Sequence, residues 1–228
     1  MISIIPIPEL PEFHQGMNIG DEIVKKFDLV ENDVVVVTSK IVSKAEGRLV
    51  AVSSRSDFEK SVLAESRRVL RRRGEMMIVE THHGFICANA GIDQSNVPEG
   101  QIALLPKDSD RSARRIRDQI FAKTKVKVGV IVSDTFGRSW RRGVTDVALG
   151  VAGISAIIDL RGTLDANQRE LKVTEVAIAD EIASAAELVK GKASQIAVVV
   201  VRGVDSSYFR ESSVADEVIR VPAEDLFR

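Results

Sequence analysis

Four short runs of β-branched apolar residues constrain the fold more than any other feature of this sequence. They cover residues 34–38, 126–133, 154–160 and 196–201, and each is bounded by Gly, Asp or Ser. A run of this kind is typical of a strand that is buried on both faces. Weaker runs at residues 2–7 and 76–80 predict two further strands. The chain is therefore expected to build its core around a sheet.

Three helical patterns lie between these runs. Residues 56–73 begin at Ser56, a candidate N-cap, and stop before a glycine. Residues 108–123 are strongly basic on one face. Apolar residues recur at three- and four-residue spacing through 171–190, which Gly191 terminates. The alternation of strands and helices predicts a mixed α/β (α+β) chain.

The length and composition describe a globular protein of one large domain or two small ones. The chain has 228 residues, of which 44% are apolar and 29% charged, and this excludes a disordered chain, a coiled coil and a collagen-like fibre. The formal net charge is -1, so bulk charge predicts neither nucleic-acid nor membrane binding. An internal boundary would fit best in residues 88–107, but we expect residues 1–228 to form a single unit.

The cysteine content and the amino-terminal sequence indicate a cytoplasmic protein. Cys87 is the only cysteine, so no internal disulfide can form and a reducing compartment is expected. Pro6, Pro8 and Pro11 interrupt the first apolar stretch, which lacks the basic start of a signal peptide. No stretch reaches the roughly 18 consecutive apolar residues of a membrane-spanning helix.

Two familiar nucleotide-binding motifs are absent from the sequence. A P-loop needs a glycine five positions before Gly191 and Lys192, where Ala186 stands instead. The G-x-G-x-x-G motif of a Rossmann turn does not occur either. A zinc site at His82 and His83 is not favoured, because adjacent side chains on a strand point to opposite faces. We expect one of these histidines to be buried and the other exposed.

The first of three polar clusters covers residues 38–48, directly after a predicted strand. It contains Ser39, Lys40 and Lys44. Hydroxyl and ammonium groups at the carboxyl end of a strand suit an anion site, because strand ends open into the crevice of an α/β sheet. The alternative is a polar helix start that Ser39 caps.

The second cluster covers residues 89–96. Asp93 and Asn96 offer hard oxygen donors three positions apart, on a loop that Gly91 allows to bend. The alternative is an Asx-turn or a helix N-cap, which is the commoner use of such residues.

The third cluster covers residues 133–143. Asp134 and Thr135 stand at the end of an apolar run. An Asp-Thr pair at the end of a buried strand resembles the oxygen ligands of a Mg²⁺ or Mn²⁺ site. Three arginines follow, and guanidinium groups beside a divalent ion suit a polyphosphate. They are Arg138, Arg141 and Arg142. In the alternative, Asp134 caps a helix and the arginines are solvated. Together the three clusters predict a metal-assisted nucleotide or phosphate site without a P-loop.

In this order, the three clusters resemble the family of coenzyme F420-0:L-glutamate ligases, where F420 names a deazaflavin cofactor. The similarity includes residues 38–48, 83–97, 128–143 and 179–203. It implies a GTP-dependent ligase that uses Mg²⁺ or Mn²⁺, with K⁺ as a further candidate ion. Such an enzyme joins the amino group of L-glutamate to the carboxylate end of F420-0 and releases GDP and phosphate, and a further γ-linked glutamate can follow. Because a carboxylate is a poor electrophile, an acyl phosphate is the expected intermediate.

The resemblance assigns roles to residues of this sequence one by one. The positions that match metal ligands are Asp93, Asp134 and Thr135. The candidate catalytic residues are Lys44 and Asp134. The positions that match GTP contacts are Leu10, Pro11, Glu12, Phe13, Ser39, Lys40, Lys44, Asn96, Lys190, Gly191, Lys192, Ala193, Ser194 and Gln195. Our own candidates for holding the phosphodiester or carboxylates of the substrate are Arg138, Arg141 and Arg142.

The sequence departs from part of this family at Lys192. Archaeal-type members have an acidic or amide residue there as a further metal ligand, and a protonated ammonium cannot bind a metal. Lys192 therefore either leaves the metal with fewer protein ligands or binds phosphate directly.

The resemblance also implies how the protein is assembled and what it binds. It implies two intertwined α/β parts, in a homodimer whose nucleotide cleft lies near the interface. The implied partners are small molecules, namely F420-0, L-glutamate and GTP, with no nucleic acid and no membrane.

Three other interpretations stay open from the residues alone. A metal-dependent phosphohydrolase would use the same Asp93, Asp134 and Thr135, with water as the nucleophile in place of glutamate. A non-catalytic deazaflavin- or nucleotide-binding protein would tolerate the loss of Asp134 and of the metal. In the third interpretation, the clusters are only helix caps and surface loops.

Overall fold

A computed structural model describes residues 1–191 and 194–226 of the chain. The strands are β1 (Ser3–Ile7), β2 (Val34–Thr38), β3 (Leu49–Ala51), β4 (Ser66–Arg73), β5 (Met76–Thr81), β6 (Ile86–Ala88), β7 (Gln101–Ala103), β8 (Gly129–Gly137), β9 (Val144–Ala152), β10 (Ile158–Asp159), β11 (Glu175–Val176) and β12 (Val198–Arg202). The helices are α1 (Ile19–Lys26), α2 (Ser39–Ala45), α3 (Arg55–Ala64), α4 (Ser109–Thr124), α5 (Ile178–Lys190) and α6 (Val214–Glu217). This mixture of helices and strands confirms the predicted mixed α/β (α+β) class.

A five-stranded sheet with the order β1-β12-β2-β8-β9 forms the centre of the molecule. Within it, β2 and β8 run parallel and the other neighbouring pairs are antiparallel. The valines of β2 and β12 are β-branched and pack well on a pleated surface. All four valines of β2 are fully buried, as expected of a strand covered on both faces.

Helices cover both faces of this sheet. On one face, Val35 belongs to a hydrophobic cluster with Ile23 of α1 and Ile120 of α4. On the opposite face, Val34 packs in a second cluster with Ile182 of α5. Successive strand residues point to opposite faces, so the single apolar run of β2 supplies both halves of the core.

The start of α4 packs tightly against β9. A Cβ atom at Gly150 would lie 2.1 Å from the carbonyl carbon of Ser109, so glycine is what allows the two backbones to approach. The buried carboxylate of Asp110 then accepts hydrogen bonds from the backbone N–H groups of Val151 at 2.8 Å and Val214 at 3.0 Å. These contacts fix β9, which contributes to the candidate site described below.

A smaller part of the molecule contains the sheet β4-β5-β6 and the pair β3-β7. It has its own hydrophobic cluster, formed by Val62, Met77, Val79 and Ala90 with Phe58 packed against them. The intertwining of two parts within one unit stays a prediction.

The predicted helix over residues 56–73 is wrong in its second half. α3 covers the first half, and its N-cap is Ser54 rather than Ser56. The second half forms β4, because it pairs with β5 and because Arg68 donates to the buried carboxylate of Glu80 at 2.7 Å. Cross-strand pairing therefore overrides a helical sequence pattern here.

Two other predicted elements are shorter in the structure. Of residues 154–160, only Ile158–Asp159 lies in a strand, whereas Ile154 is fully buried in the preceding loop. Of residues 171–190, the helix begins at Ile178. An apolar run can thus be buried without pairing with a neighbouring strand.

In the parts of the chain that the structure describes, no helix has the length and apolar character to cross a membrane.

Candidate active site

The topology brings several chain segments to one end of the central sheet. β1, β2 and β8 finish at this end, and β9 and β12 begin there. Thr38 and Ser133 are opposite each other at the ends of β2 and β8, and the Thr38 N–H donates to the Ala197 carbonyl at 3.0 Å. The first and third polar clusters therefore meet here, next to the segments that follow β1 and precede β12.

Asp93 of the second cluster reaches this end of the sheet through Lys40, at the start of α2. The Lys40 Nζ atom lies 2.7 Å from Asp93 Oδ2 and donates to Ser95 Oγ at 2.9 Å. Asp93 also accepts from the Ser95 N–H at 2.6 Å, which makes an Asx-turn, and its backbone pairs with Ala103. Burial opposes ionisation, but the hydrogen bonds from Lys40 and Ser95 outweigh it and lower the pKa of the Asp93 carboxyl. Asp93 is therefore a positioned carboxylate.

Asp134 is half-buried on β8, near two other carboxylates. Burial raises the pKa of Asp134 to about 7, and the negative charges of Asp93 and Asp146 add to the shift. The alternative in which Asp134 caps a helix is wrong, since β8 continues to Gly137. Across residues 1–191 and 194–226, no group of three or more His, Cys, Asp and Glu side chains is arranged to hold a metal. A metal here would need other oxygen ligands as well, such as the Thr135 hydroxyl.

Asp146 is a candidate functional residue that the sequence analysis missed. It is 2% exposed on β9 and accepts hydrogen bonds from Thr135 Oγ1 at 2.6 Å and Ser133 Oγ at 3.1 Å. The Lys190 ammonium, on a residue only 4% exposed, donates to both Asp146 and Ser133. Burial alone would raise the pKa of Asp146, but the charge of Lys190 prevails and lowers it. The sequence signal that could have identified Asp146 is an aspartate at the start of the apolar run that forms β9.

Lys44 is buried on α2 and contacts the carboxylate of Glu12, in the segment that follows β1. Ser39 is buried as well. It does not cap α2, because Thr38 occupies the N-cap position without a side-chain hydrogen bond, so the capping alternative is wrong. The Phe13 side chain packs in the hydrophobic core, which anchors the segment that carries Glu12.

The other residues matched to GTP contacts are more scattered. Leu10 is half-buried and Pro11 is exposed. Asn96 is exposed in a turn with a positive φ of 53°. Gly191, Ser194 and Gln195 lie between α5 and β12. Lys192 and Ala193 lie outside the described residues.

The three arginines of the third cluster lie on the loop that joins β8 to β9. Arg138, Arg141 and Arg142 are all exposed, and Arg138 Nη2 donates to the Arg142 carbonyl at 2.9 Å. They are therefore accessible to a ligand but project from the sheet end rather than lining its buried network. His82 and His83 lie in a turn after β5 and not on a strand; His82 is exposed and His83 half-buried.

Comparison with known proteins gives a consistent set of relatives. A family model described as F420-0:Gamma-glutamyl ligase matches residues 8–203. A Methanopyrus kandleri protein named coenzyme F420:L-glutamate ligase is 37% identical to the chain, over 100% of this chain and 98% of its own length. The same name belongs to a Methanocaldococcus jannaschii protein, 38% identical over 96% of this chain and 94% of its own. A Methanothermobacter thermautotrophicus protein also has this name; it is 36% identical to the chain, over 100% of this chain and 99% of its own length.

Proposed function

The chain belongs to the F420-0:gamma-glutamyl ligase family, and from that premise we propose that it joins L-glutamate to F420-0 in a GTP-dependent reaction through an acyl phosphate. Ligase chemistry in coenzyme F420 biosynthesis follows from the family. GTP, the divalent ion and the intermediate are the proposed parts. GDP and phosphate leave, and a further γ-linked glutamate can be added to the product.

The observation that carries this proposal is the meeting of positioned ammonium and carboxylate groups at one end of the central sheet. Lys40 is held by Asp93, and Lys44 is held by Glu12. Lysines are effective phosphate binders because their ammonium groups act as compact positive charges. Lys40, whose charge acts on the half-buried Asp134, and Lys44 on the same helix suit a site that must bind both a phosphate chain and a substrate carboxylate.

The oxygen donors at this end fit a divalent cation. Asp93 and Asp134 are carboxylates, and the Thr135 hydroxyl, which donates to Asp146, is a third oxygen group at this end. Hard oxygen donors of this kind suit Mg²⁺ and Mn²⁺. Burial is the main cause of the raised pKa of Asp134, and the negative charges of Asp93 and Asp146 add to it; a bound cation would offset the repulsion among these carboxylates. When bound, the ion would offset negative charge on the phosphate oxygens.

The proposed reaction has two steps. A carboxylate oxygen of F420-0 attacks the γ-phosphorus of GTP; an O–P bond forms, the bond to the β–γ bridging oxygen breaks, and GDP leaves. The amino group of glutamate then attacks the acyl carbon, the C–N bond forms, the C–O bond to phosphate breaks, and the nitrogen loses a proton. Lys40 and Lys44 hold the anionic groups in place and stabilise the charge that develops on them.

Asp146 and Lys190 act on this site indirectly, through their contacts with other side chains. Asp146 does not reach the substrate; it fixes the Thr135 hydroxyl, while Lys190 neutralises it. The direct phosphate contact of Lys192, the homodimer and the cytoplasmic location stay predictions.

The test is to incubate the protein with F420-0, L-glutamate, GTP and Mn²⁺ and to follow the deazaflavin by mass spectrometry. We expect a glutamyl mass increment that needs both GTP and glutamate. Asp134→Asn should reduce its rate by about a hundredfold or more. Asp159→Asn is the matched control, since Asp159 lies on β10 in an exposed pair with Arg161. Phosphate release that ignores glutamate would contradict the proposal and indicate a hydrolase.

A further inference from the structure

A cleft of about 750 Å³ lies in the smaller part of the molecule, between the segments that follow β3 and precede β7. Its volume is within the roughly 300–1,000 Å³ that is usual for small-molecule sites. Gln94 lines it, and this residue stands between Asp93 and Ser95 on the loop of the candidate active site. The cleft and the candidate active site therefore share one loop.

One wall of the cleft is apolar and suits a flat ring. Phe58 lies on α3, half-buried, and packs against the hydrophobic cluster that contains Met77 and Val79. Met76 is 56% exposed at the cleft. A rigid aromatic ring and a polarisable thioether together form a surface on which a planar heteroaromatic group can stack.

Three of the polar side chains that line the cleft are amides. Asn89, Gln94 and Gln101 line it, and each amide offers both a donor and an acceptor. The Asn89 oxygen accepts from the Met77 N–H at 3.0 Å, so the amide group is oriented and its NH₂ is the part available to a ligand. A deazaflavin ring presents alternating carbonyl and N–H groups, and amide side chains are suited to bind them.

The charges of the cleft do not favour an anionic tail in its interior. Among the described residues that line it, Arg55 is the one cation, and its guanidinium is already paired with Glu75. Glu99 also lines the cleft, so carboxylates exceed cations there by one. A phosphodiester or carboxylate would be repelled from this interior and attracted to Lys40 and Lys44 at the sheet end.

The distance between the two places suits a ligand with a ring at one end and a carboxylate at the other. Asp93 pairs through its backbone with Ala103. Gln101, which lines the cleft, is two residues from Ala103 on β7, or about 7 Å along the strand at roughly 3.4 Å per residue.

Resting on the proposed function, we propose that this cleft binds the deazaflavin ring of F420-0, while its phosphodiester chain runs along the loop at residues 93–96. The reacting carboxylate then lies beside Lys40 and Asp93. The cleft sets which ring system the enzyme accepts, and the sheet end performs the chemistry.

The experiment is a titration of the full chain with F420-0, monitored by deazaflavin fluorescence, in the presence of GDP and Mg²⁺. Met76→Glu adds a carboxylate to the ring-binding wall, and we expect it to raise the Kd for F420-0 by about tenfold or more. Met76→Ala removes only contact area and should raise the Kd by about threefold. The control is Val69→Glu on β4, a position that is 42% exposed and does not line the cleft; it should leave the Kd unchanged.

The outcomes separate this inference from the proposed function. If the wild type adds glutamate but Met76→Glu leaves both the Kd and the KM for F420-0 unchanged, the cleft assignment is overturned and the ligase stands. If Met76→Glu weakens F420-0 binding as expected while the wild type adds no glutamate, the proposed function fails and the cleft assignment stands. A change in oligomeric state by light scattering, with unchanged F420-0 affinity, would make the cleft a protein interface and also overturn the inference. GTP affinity should be the same in all variants.

Discussion

Thr135 and Asp146 face each other across the β8–β9 ladder, and the Thr135 hydroxyl donates to Asp146 Oδ1 at 2.6 Å. This bond fixes the direction of the hydroxyl proton, so the lone pairs of the oxygen are held in one orientation. Groups that orient a metal ligand from behind are often as important for affinity as the ligand itself. We therefore expect Asp146 to act as a positioning residue of the proposed metal site.

Asp146→Asn should weaken both the fold and the metal site. The substitution removes the nearest carboxylate of the buried Lys190 ammonium and leaves Glu187 at 3.8 Å as a weaker partner; a buried charge that loses its main partner costs up to about 3–5 kcal/mol of the free energy of unfolding. We expect Mn²⁺ affinity to fall about 10- to 100-fold. Urea unfolding measures the first effect, and electron paramagnetic resonance of free Mn²⁺ measures the second.

A second substitution separates these two effects. Lys190→Met in the Asp146→Asn background removes the stranded charge and should restore part of the stability, because both members of the pair are then neutral. It should not restore Mn²⁺ affinity. Recovery of the affinity together with the stability would show that Asp146 has no positioning role.

Asp134 should make the metal-free protein less stable as the pH rises. Its pKa is 3.8 for a free side chain and about 7 in the folded protein. Between these values the folded state holds the proton that the unfolded state has lost, so the free energy of unfolding falls with increasing pH. Asp134→Asn should abolish this loss. Urea unfolding in EDTA at about pH 5 and about pH 8 measures this loss of stability. If the free energy of unfolding changes with pH in the same way for the wild type and for Asp134→Asn, Asp134 does not cause the loss.

Much of the fold could be predicted from local sequence patterns. The run at residues 34–38 coincides with β2, and the basic helical pattern at 108–123 corresponds to α4. β4 could not be predicted, because five of its eight residues are arginines in adjacent runs and its strand state depends on pairing with β5. The pairing partner of a strand cannot be identified from the local sequence pattern of that strand alone.

Asp33→Asn should destabilise the fold without affecting the candidate site. Asp33 is fully buried at the far end of β2 and accepts two hydrogen bonds from Arg202, each at 2.8 Å. Losing a charged acceptor of this kind costs about 2–3 kcal/mol. Urea unfolding should show the loss, whereas Mn²⁺ and GTP affinity should match the wild type at a temperature where both proteins are folded. A loss of Mn²⁺ affinity would mean that the two ends of the sheet are coupled.

Gly150→Ala should be among the most damaging single-methyl changes in the chain. The added Cβ would lie 2.1 Å from the Ser109 carbonyl carbon, and backbone atoms cannot yield as a flexible side chain can. We expect a cost of about 3 kcal/mol or more. Gly137→Ala is the control, because a Cβ there meets no atom within 4 Å. Thermal unfolding compares them, and equal melting temperatures would contradict the close packing of α4 on β9.

The candidate site was only partly predictable for a related reason. Asp93 and Asp134 were identified because each stands in a polar cluster beside a predicted strand. Asp146 was not, because the sequence contains nothing that places it opposite Thr135; the register of the β8–β9 hairpin does. The burial of Lys190 against Asp146 likewise depends on α5 packing on β9.

The most direct measurement uses F420-0 with ¹⁸O in both oxygens of its reacting carboxylate, with GTP, L-glutamate and Mn²⁺. Attack of a carboxylate oxygen on the γ-phosphorus predicts that one labelled atom leaves with inorganic phosphate and the other stays in the new amide. Mass spectrometry of phosphate and of the glutamylated product detects both. Unlabelled phosphate, released at the same rate with or without glutamate, would contradict activation of the substrate carboxylate at this end of the sheet.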